Sequence, residues 1–259
     1  MPNYDPILDS EIDAESPITE SLMTRLRDNP LALVGEDYTE LTGSGTYTVP
    51  ANVNLLKVVM IGGGSGGRGG DAAGQGGGGG SSGCVYSAYV STSGGASISY
   101  ACGAGGAGGS ASNVNGADGG NTTFGSLTAK GGKGATTTNG TQTRDASRTF
   151  YLLGGEGSSN NTSDGTDGEA FPSVFHGTSG TVAADNGGGG GGAPCGLPFA
   201  IQTTSLGSGG AGYENDTPTS AANATSYGAG GGGGHGTNSG NGLGGNGSAG
   251  IIFVLPLNT

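Results

Sequence analysis

The sequence predicts a mainly β protein, a small β-sandwich with packed polyglycine II helices, plus a short N-terminal α-helix. Three observations carry this. Glycine supplies 63 of the 259 residues and comes in blocks, among them Gly76-Gly77-Gly78-Gly79-Gly80. Runs rich in β-branched residues stand at both ends of the glycine-rich part. Hydrophobic residues are only 32%, with no Trp, which leaves too little for a conventional large core.

A run without Cβ atoms cannot bury side chains, so an ordered run must pack backbone on backbone, with each N–H and C=O paired to a neighbouring segment. The polyproline II conformation allows this. It has three residues per turn, rises about 3.1 Å per residue and makes no internal hydrogen bonds, so its polar groups point sideways. The segments from Gly62 to Gly83, Gly103 to Gly109, Gly187 to Gly192, Gly207 to Gly212, Gly228 to Gly236 and Gly240 to Gly250 are therefore read as one bundle. Collagen is excluded, because it needs Gly strictly every third residue and abundant Pro, and this chain has consecutive glycines and 10 Pro. Disorder is the competing compositional reading. The strand signals between the glycines weigh against it.

Taken in order, residues 1 to 40 form an acidic arm in which ten acids face only Arg25 and Arg27, out of a formal charge of -12 for the whole chain. Ser16-Pro17 supplies an N-cap with Pro at the first helical position, and Asn29-Pro30 a stop. Between them Ile18, Leu22, Met23 and Leu26 share one face of a helix of about three turns, which is marginal alone. That face is expected to dock on copies of itself, on a partner protein or on the chain's own C-terminal domain. Residues 41–259 form the glycine-rich domain. Its strand signals are Gly45 to Val49, Leu55 to Ile61, Asn121 to Ala129 and the terminal Ile251 to Leu257, with the glycine helices extending from the edge of the sandwich. Between them a hairpin is expected, with Cys84, Tyr86, Ala88 and Val90 facing Cys102, Tyr100, Ile98 and Ala96 across the loop Thr92-Ser93-Gly94. A Cys84–Cys102 disulfide is sterically conceivable in that register, and two buried thiols are the alternative.

Richer stretches interrupt the glycines after Thr141, and these are expected to be loops at one end of a rigid scaffold, where recognition usually sits. Their aromatics Tyr151, Phe171, Phe175, Phe199, Tyr213 and Tyr227 are the candidate receptor contacts, with small anchoring cores as the alternative use of such side chains.

Signals of chemistry are weak. GxGxxG windows such as Gly103 to Gly108 mean little in a chain that is a quarter glycine. Lys133 is followed by Gly134, which is no Walker A, and His176 and His235 have no acid or nucleophile at a characteristic spacing. Asp164, Asp167 and Glu169 are read as a solvated acidic loop, with Ca²⁺ ligation as the alternative. The expectation is a protein that is not an enzyme, has no cofactor or metal, lacks the basic stripe of a nucleic-acid binder and does not insert in membranes.

The opening GSGTYTVPANVNLLKVVMIGGGSGG, then ACGAGGAGG, ADGGNTTFGSLTAKGGKG and the final GSAGIIFVLPL resemble the glycine-rich domain of bacteriophage tail-fibre and other virion appendage proteins. The glycine blocks with richer loops are also similar to the polyglycine II tip adhesins of T-even-like phages, whose distal loops contact outer-membrane proteins or lipopolysaccharide. This chain departs from them in its acidic arm and helix. The resemblance implies a virion protein whose residues 1–40 dock on other virion proteins and whose loops bind a host outer-membrane protein or lipopolysaccharide, as a homotrimer. A structural virion component such as a head fibre or tail-tip part is the rival expectation, and an ice-binding or matrix glycine-rich protein a more distant one.

Overall fold

A computed structural model describes residues 38–71, 75–110, 114–136, 220–237 and 240–257. The expected N-terminal helix and the glycine blocks 187–192 and 207–212 lie outside these residues. The described chain is mainly β, with two four-stranded antiparallel sheets facing each other. In chain order the strands are β1 (Thr39–Leu41), β2 (Ser44–Thr48), β3 (Leu55–Ile61), β4 (Val85–Ser91), β5 (Ser97–Ala101), β6 (Thr122–Phe124), β7 (Leu127–Ala129), the short pair β8 (Gly236–Thr237) and β9 (Gly240–Asn241), and β10 (Ile251–Leu257). One sheet has the order β1-β10-β3-β4 and the other β2-β5-β6-β7. The terminal strand sits inside its sheet, with β1 on its outer side.

Alternation decides which side chains meet between the sheets. Leu56, Val58 and Met60 of β3 and Ile252 and Val254 of β10 point inward onto Tyr47, Phe124 and Ala129. Their neighbours in sequence, Val59, Ile61, Ile251 and Phe253, form a second cluster on the other face, with the ring of Tyr38 edge-on to Phe253 at 5.5 Å. Each sheet face thus buries its own apolar row, the reason β3 and β10 read as nearly continuous apolar runs.

The expected hairpin does not form. β4 pairs with β3 (Met60↔Tyr86, Val58↔Ala88), whereas β5 pairs with β2 and β6, in the opposite sheet. Alternation fixes the face a residue occupies and leaves the partner strand open. Cys84 and Cys102 are both free thiols, Cys84 buried and Cys102 donating from Sγ to the Leu41 carbonyl at 3.2 Å. The single strand expected over Asn121 to Ala129 is also two strands. Gly125, at φ 54°, turns β6 back onto β7 so that Phe124 faces Leu127.

The glycine segments continue strands end to end rather than leaving the edge of a sheet. Ile61 passes directly into 62–71, which turns back through 75–83 into β4. Segment 103–109 leaves β5, 114–120 enters β6, 131–135 leaves β7 and 242–250 enters β10. Their hydrogen bonds define a lattice with a three-residue period. The amides of Gly63, Gly66 and Gly69 donate to the carbonyls of Gly120, Ala117 and Val114; those of Gly64, Gly67 and Gly70 donate to Ser248, Gly245 and Gly242; those of Ser65, Arg68 and Asp71 donate to Ser81, Gly78 and Gln75. Falling partner numbers make these three neighbours antiparallel. Its carbonyls accept in turn from three parallel neighbours, through Gly132 and Ala135, Gly106 and Gly109, and Gly231 and Gly234.

Segment 62–71 is therefore a central helix surrounded by six others, alternately parallel and antiparallel, which is polyglycine II packing. Close approach explains the composition. A Cβ at Gly64 would stand 1.9 Å from the Ala229 carbonyl oxygen, and one at Gly66 2.0 Å from that of Ala107. Ser65 is tolerated because its hydroxyl donates to the Lys133 carbonyl at 2.7 Å and the Ser81 carbonyl at 3.1 Å.

At the rim, polar side chains replace missing neighbours. Asn246 Oδ1 accepts from the Gly108 amide at 2.8 Å, Asp118 Oδ1 from Gly134 at 2.8 Å and Asn223 Oδ1 from Asn246 at 2.7 Å. Segment 220–224 adds an outer helix, with Ala221 and Ala224 donating to Leu243 and Asn246.

Candidate functional site

The registers give the lattice two unlike ends. At one, every helix joins a strand or, at Tyr227-Gly228, makes a turn held by the Gly228 amide on the Ala249 carbonyl. Gly228 is required there: its φ is 70°, and a Cβ would stand 2.4 Å from Cγ2 of Ile61. At the opposite, distal end the chain turns between Asp71 and Gln75, between Ser110 and Val114, and through the β8–β9 pair. The described residues also break off at Thr136 and resume at Ser220 on this end, since 131–135 runs outward and 220–224 runs back. The distal end is the candidate site. All four of its connections interrupt the glycine pattern, and the segment from 137 to 219 is by far the longest insertion.

The described part of the distal end carries charge. Asp71 Oδ1 accepts from the Gln75 amide at 2.9 Å while the Asp71 amide donates to the Gln75 carbonyl at 2.9 Å, so the turn is closed from both sides. Burial pushes the Arg68 guanidinium below its usual value, and Asp71 opposes this. His235, fully buried, ends helix 229–235 beside Arg68, whose carbonyl accepts from the Gly234 amide at 2.8 Å. Neither His235 nor Arg68 has a role in the reading of the sequence; their position near the ends of two glycine helices is the signal that marks them. Among the described residues no three His, Cys, Asp or Glu side chains gather as metal ligands, and no helix is long and apolar enough to cross a membrane.

Of the expected aromatic contacts, Tyr227 is described. It is half-buried against the cluster of Val59, Ile61, Ile251 and Phe253, at the sandwich end of the lattice and so far from the distal turns. Its ring anchors the turn at Gly228. Tyr151, Phe171, Phe175, Phe199 and Tyr213 lie outside the described residues, as do Ile18, Leu22, Met23 and Leu26, the acidic trio Asp164, Asp167 and Glu169, and His176.

Residues 39–255 match the family model of the glycine-rich domain. The chain belongs to this glycine-rich domain family. The match begins and ends with the paired strands β1 and β10, so it spans the sandwich, the lattice and the insertions between its helices. No match was found among curated proteins.

Proposed function

We propose that this glycine-rich domain protein is a receptor-binding adhesin of a bacteriophage appendage, attaching the virion to an outer-membrane protein or lipopolysaccharide of the host. One observation carries the proposal: the described lattice breaks off at Thr136 and resumes at Ser220 at one and the same end, and the sequence between these points holds Tyr151, Phe171, Phe175, Phe199 and Tyr213. A scaffold whose hydrogen bonds are made by the backbone tolerates change in such an insertion, and inserted aromatics are strong contact residues. Residues 1–40 would dock on other virion proteins, with Ile18, Leu22, Met23 and Leu26 as the apolar face, and three copies would form the appendage. The role is binding, not catalysis.

The test is adsorption competition with the purified full chain. Attachment of the phage to its host should fall as the protein is added, and the Phe171→Ala, Phe175→Ala double variant should lose that effect while keeping its melting temperature. A folded full chain that leaves attachment unchanged would replace this proposal with a structural role in the virion.

A further inference from the structure

Each sheet of the sandwich has two outer strands, and three of these four are short. β1 has three residues with Glu40 among them, β7 has three and runs into Lys130, and β2 has five and is followed by Pro50. β4 differs from them. It is the outer strand in the order β1-β10-β3-β4, and its seven residues, Val85–Ser91, carry no charge, no Pro and no bulge in their pairing with β3. Such an edge presents a row of backbone groups ready to pair, and proteins ordinarily blunt it with the devices that β4 lacks.

Two hydrogen bonds fix which backbone groups are on offer. The Thr92 amide donates to the Asn54 carbonyl and the Gly62 amide to the Cys84 carbonyl, at the two ends of the β3–β4 ladder. Bonded and non-bonded pairs alternate along an antiparallel ladder. Tyr86, Ala88 and Val90 therefore turn their N–H and C=O groups to β3, and Val85, Ser87, Tyr89 and Ser91 turn theirs outward. Among the described residues none of these outward groups takes part in a hydrogen bond. The side chains are open to solvent as well, with Tyr89 63% and Tyr86 39% exposed. Where the same chain continues into the lattice, from Gly76 to Cys84, it is buried throughout.

We infer that the occupant of this edge is β4 of a second copy, paired antiparallel about a two-fold axis at Ala88. Outward groups must meet outward groups, and centring on Ala88 achieves this along the whole strand: Val85 lies opposite the partner's Ser91, and Ser87 opposite the partner's Tyr89. Each tyrosine meets a smaller residue, Tyr89 against Ser87 on one face and Tyr86 against Val90 on the other. No charges meet at β4, although each chain carries a formal -12. Self-pairing of β1 would instead set Glu40 opposite itself. The result is one continuous sheet in the order β1-β10-β3-β4-β4-β3-β10-β1, from which the two lattices extend in opposite directions. This contact belongs to the sandwich of the free chain and is independent of the adhesin proposal; association of three copies through residues 1–40 would be separate from it.

The test is the mass of the full chain by sedimentation over a range of concentrations, with amide exchange on the same samples. The mass should double as concentration rises. Exchange at Ser87 and Tyr89 should slow in step, while the amide of Ala88, turned to β3, keeps its rate. Ser87→Pro removes one outward amide without touching the bonds to β3 and should halve the mass. Two double variants test the register. Ser87→Lys with Tyr89→Lys sets like charges opposite each other across the axis, and Ser87→Glu with Tyr89→Lys sets opposite ones; both lose the contact of Lys57 Nζ with the Tyr89 ring at 5.1 Å. The first should dissociate about 10-fold more readily than the second. A single-chain mass at every concentration would overturn the inference, as would equal dissociation of the two double variants. A mass of three chains that a folded Ser87→Pro variant leaves unchanged would overturn it too, because association would then run through another surface.

Discussion

The hydroxyl of Thr122 donates to the carbonyl oxygen of Ile61 at 2.7 Å, and its Oγ1 accepts from the Gly103 amide at 2.9 Å. Thr122 opens β6 in one sheet and Ile61 closes β3 in the other, so this fully buried hydroxyl ties both sheets to the root of the lattice. Thr122→Val keeps the shape and removes both bonds, leaving the buried Gly103 N–H without this partner. The expected loss is about 2 to 4 kcal/mol in urea unfolding, with Thr122→Ser retaining most of the stability. A Val variant as stable as the parent would show that the Gly103 N–H finds another partner.

Backbone packing makes the smallest substitution the most harmful. Gly64→Ala places a methyl 1.9 Å from the Ala229 carbonyl oxygen, where no flexible side chain can yield. A cost of about 3 kcal/mol or more is expected, at the upper end of overpacking penalties. The control is Ala104→Ser on an exposed row, which should stay within about 0.5 kcal/mol of the parent. Melting curves of the two variants give the comparison.

At the rim, the bond to the lattice should matter more than the ion pair. Asp118 reaches Lys133 Nζ at 3.1 Å with both side chains well exposed, and also accepts from the Gly134 amide at 2.8 Å. Exposed ion pairs contribute little. Asp118→Asn keeps the acceptor and should be near neutral, whereas Asp118→Ala should cost about 1 kcal/mol. The difference should persist in 1 M NaCl; its disappearance there would assign it to the charge pair.

Alkaline pH should weaken the fold through the sandwich core. Burial raises both the Cys102 thiol, partly offset by the Ile252 backbone, and the Tyr47 phenol. The folded chain thus holds these protons to higher pH than the unfolded chain. Their contribution is complete below the unfolded thiol value of about 8.5. It is lost as pH rises through the unfolded thiol and phenol values toward the raised folded ones, because there the unfolded state binds fewer protons. Urea midpoints at pH 7, 9 and 10.5 should fall in that order. Cys102→Ala should flatten the first part of the fall and Tyr47→Phe the second.

Much of this architecture was legible in the residues, for reasons tied to particular elements. β3 and β10 were readable because both faces of their sheet are buried, which leaves uninterrupted runs such as Val58-Val59-Met60-Ile61. The bundle was readable because consecutive glycines have no other ordered use. Helix 114–120 was missed, since a rim helix needs glycine only on its inner rows. A Cβ at Gly116 or Gly119 would stand 2.0 Å from the carbonyl oxygen of Gly66 or Gly63, while Asn115, Ala117 and Asp118 lie outside and hide the period. The partners of β4 and β5 were not legible at all. The lattice gathers six strand ends at one place, and from there each strand pairs with neighbours distant in sequence. Of the candidate site, the expectation that the richer stretches share one end falls almost wholly outside the described residues; that Tyr227 is turned toward the sandwich was not legible, because it depends on the direction in which 220–224 runs.

The central helix has a mechanical consequence. Every amide from Gly63 to Asp71 points across the axis to one of three neighbours, and the carbonyls from Gly63 to Arg68 are held by three more. A pull along the axis cannot open these bonds one after another, as it would at the end of a hairpin. It loads them together in shear, and five of the six surrounding helices pass the force to strands that are themselves paired. The chain is weakest where the lattice ends, at the turns, and stiffest along the line that a tether would pull.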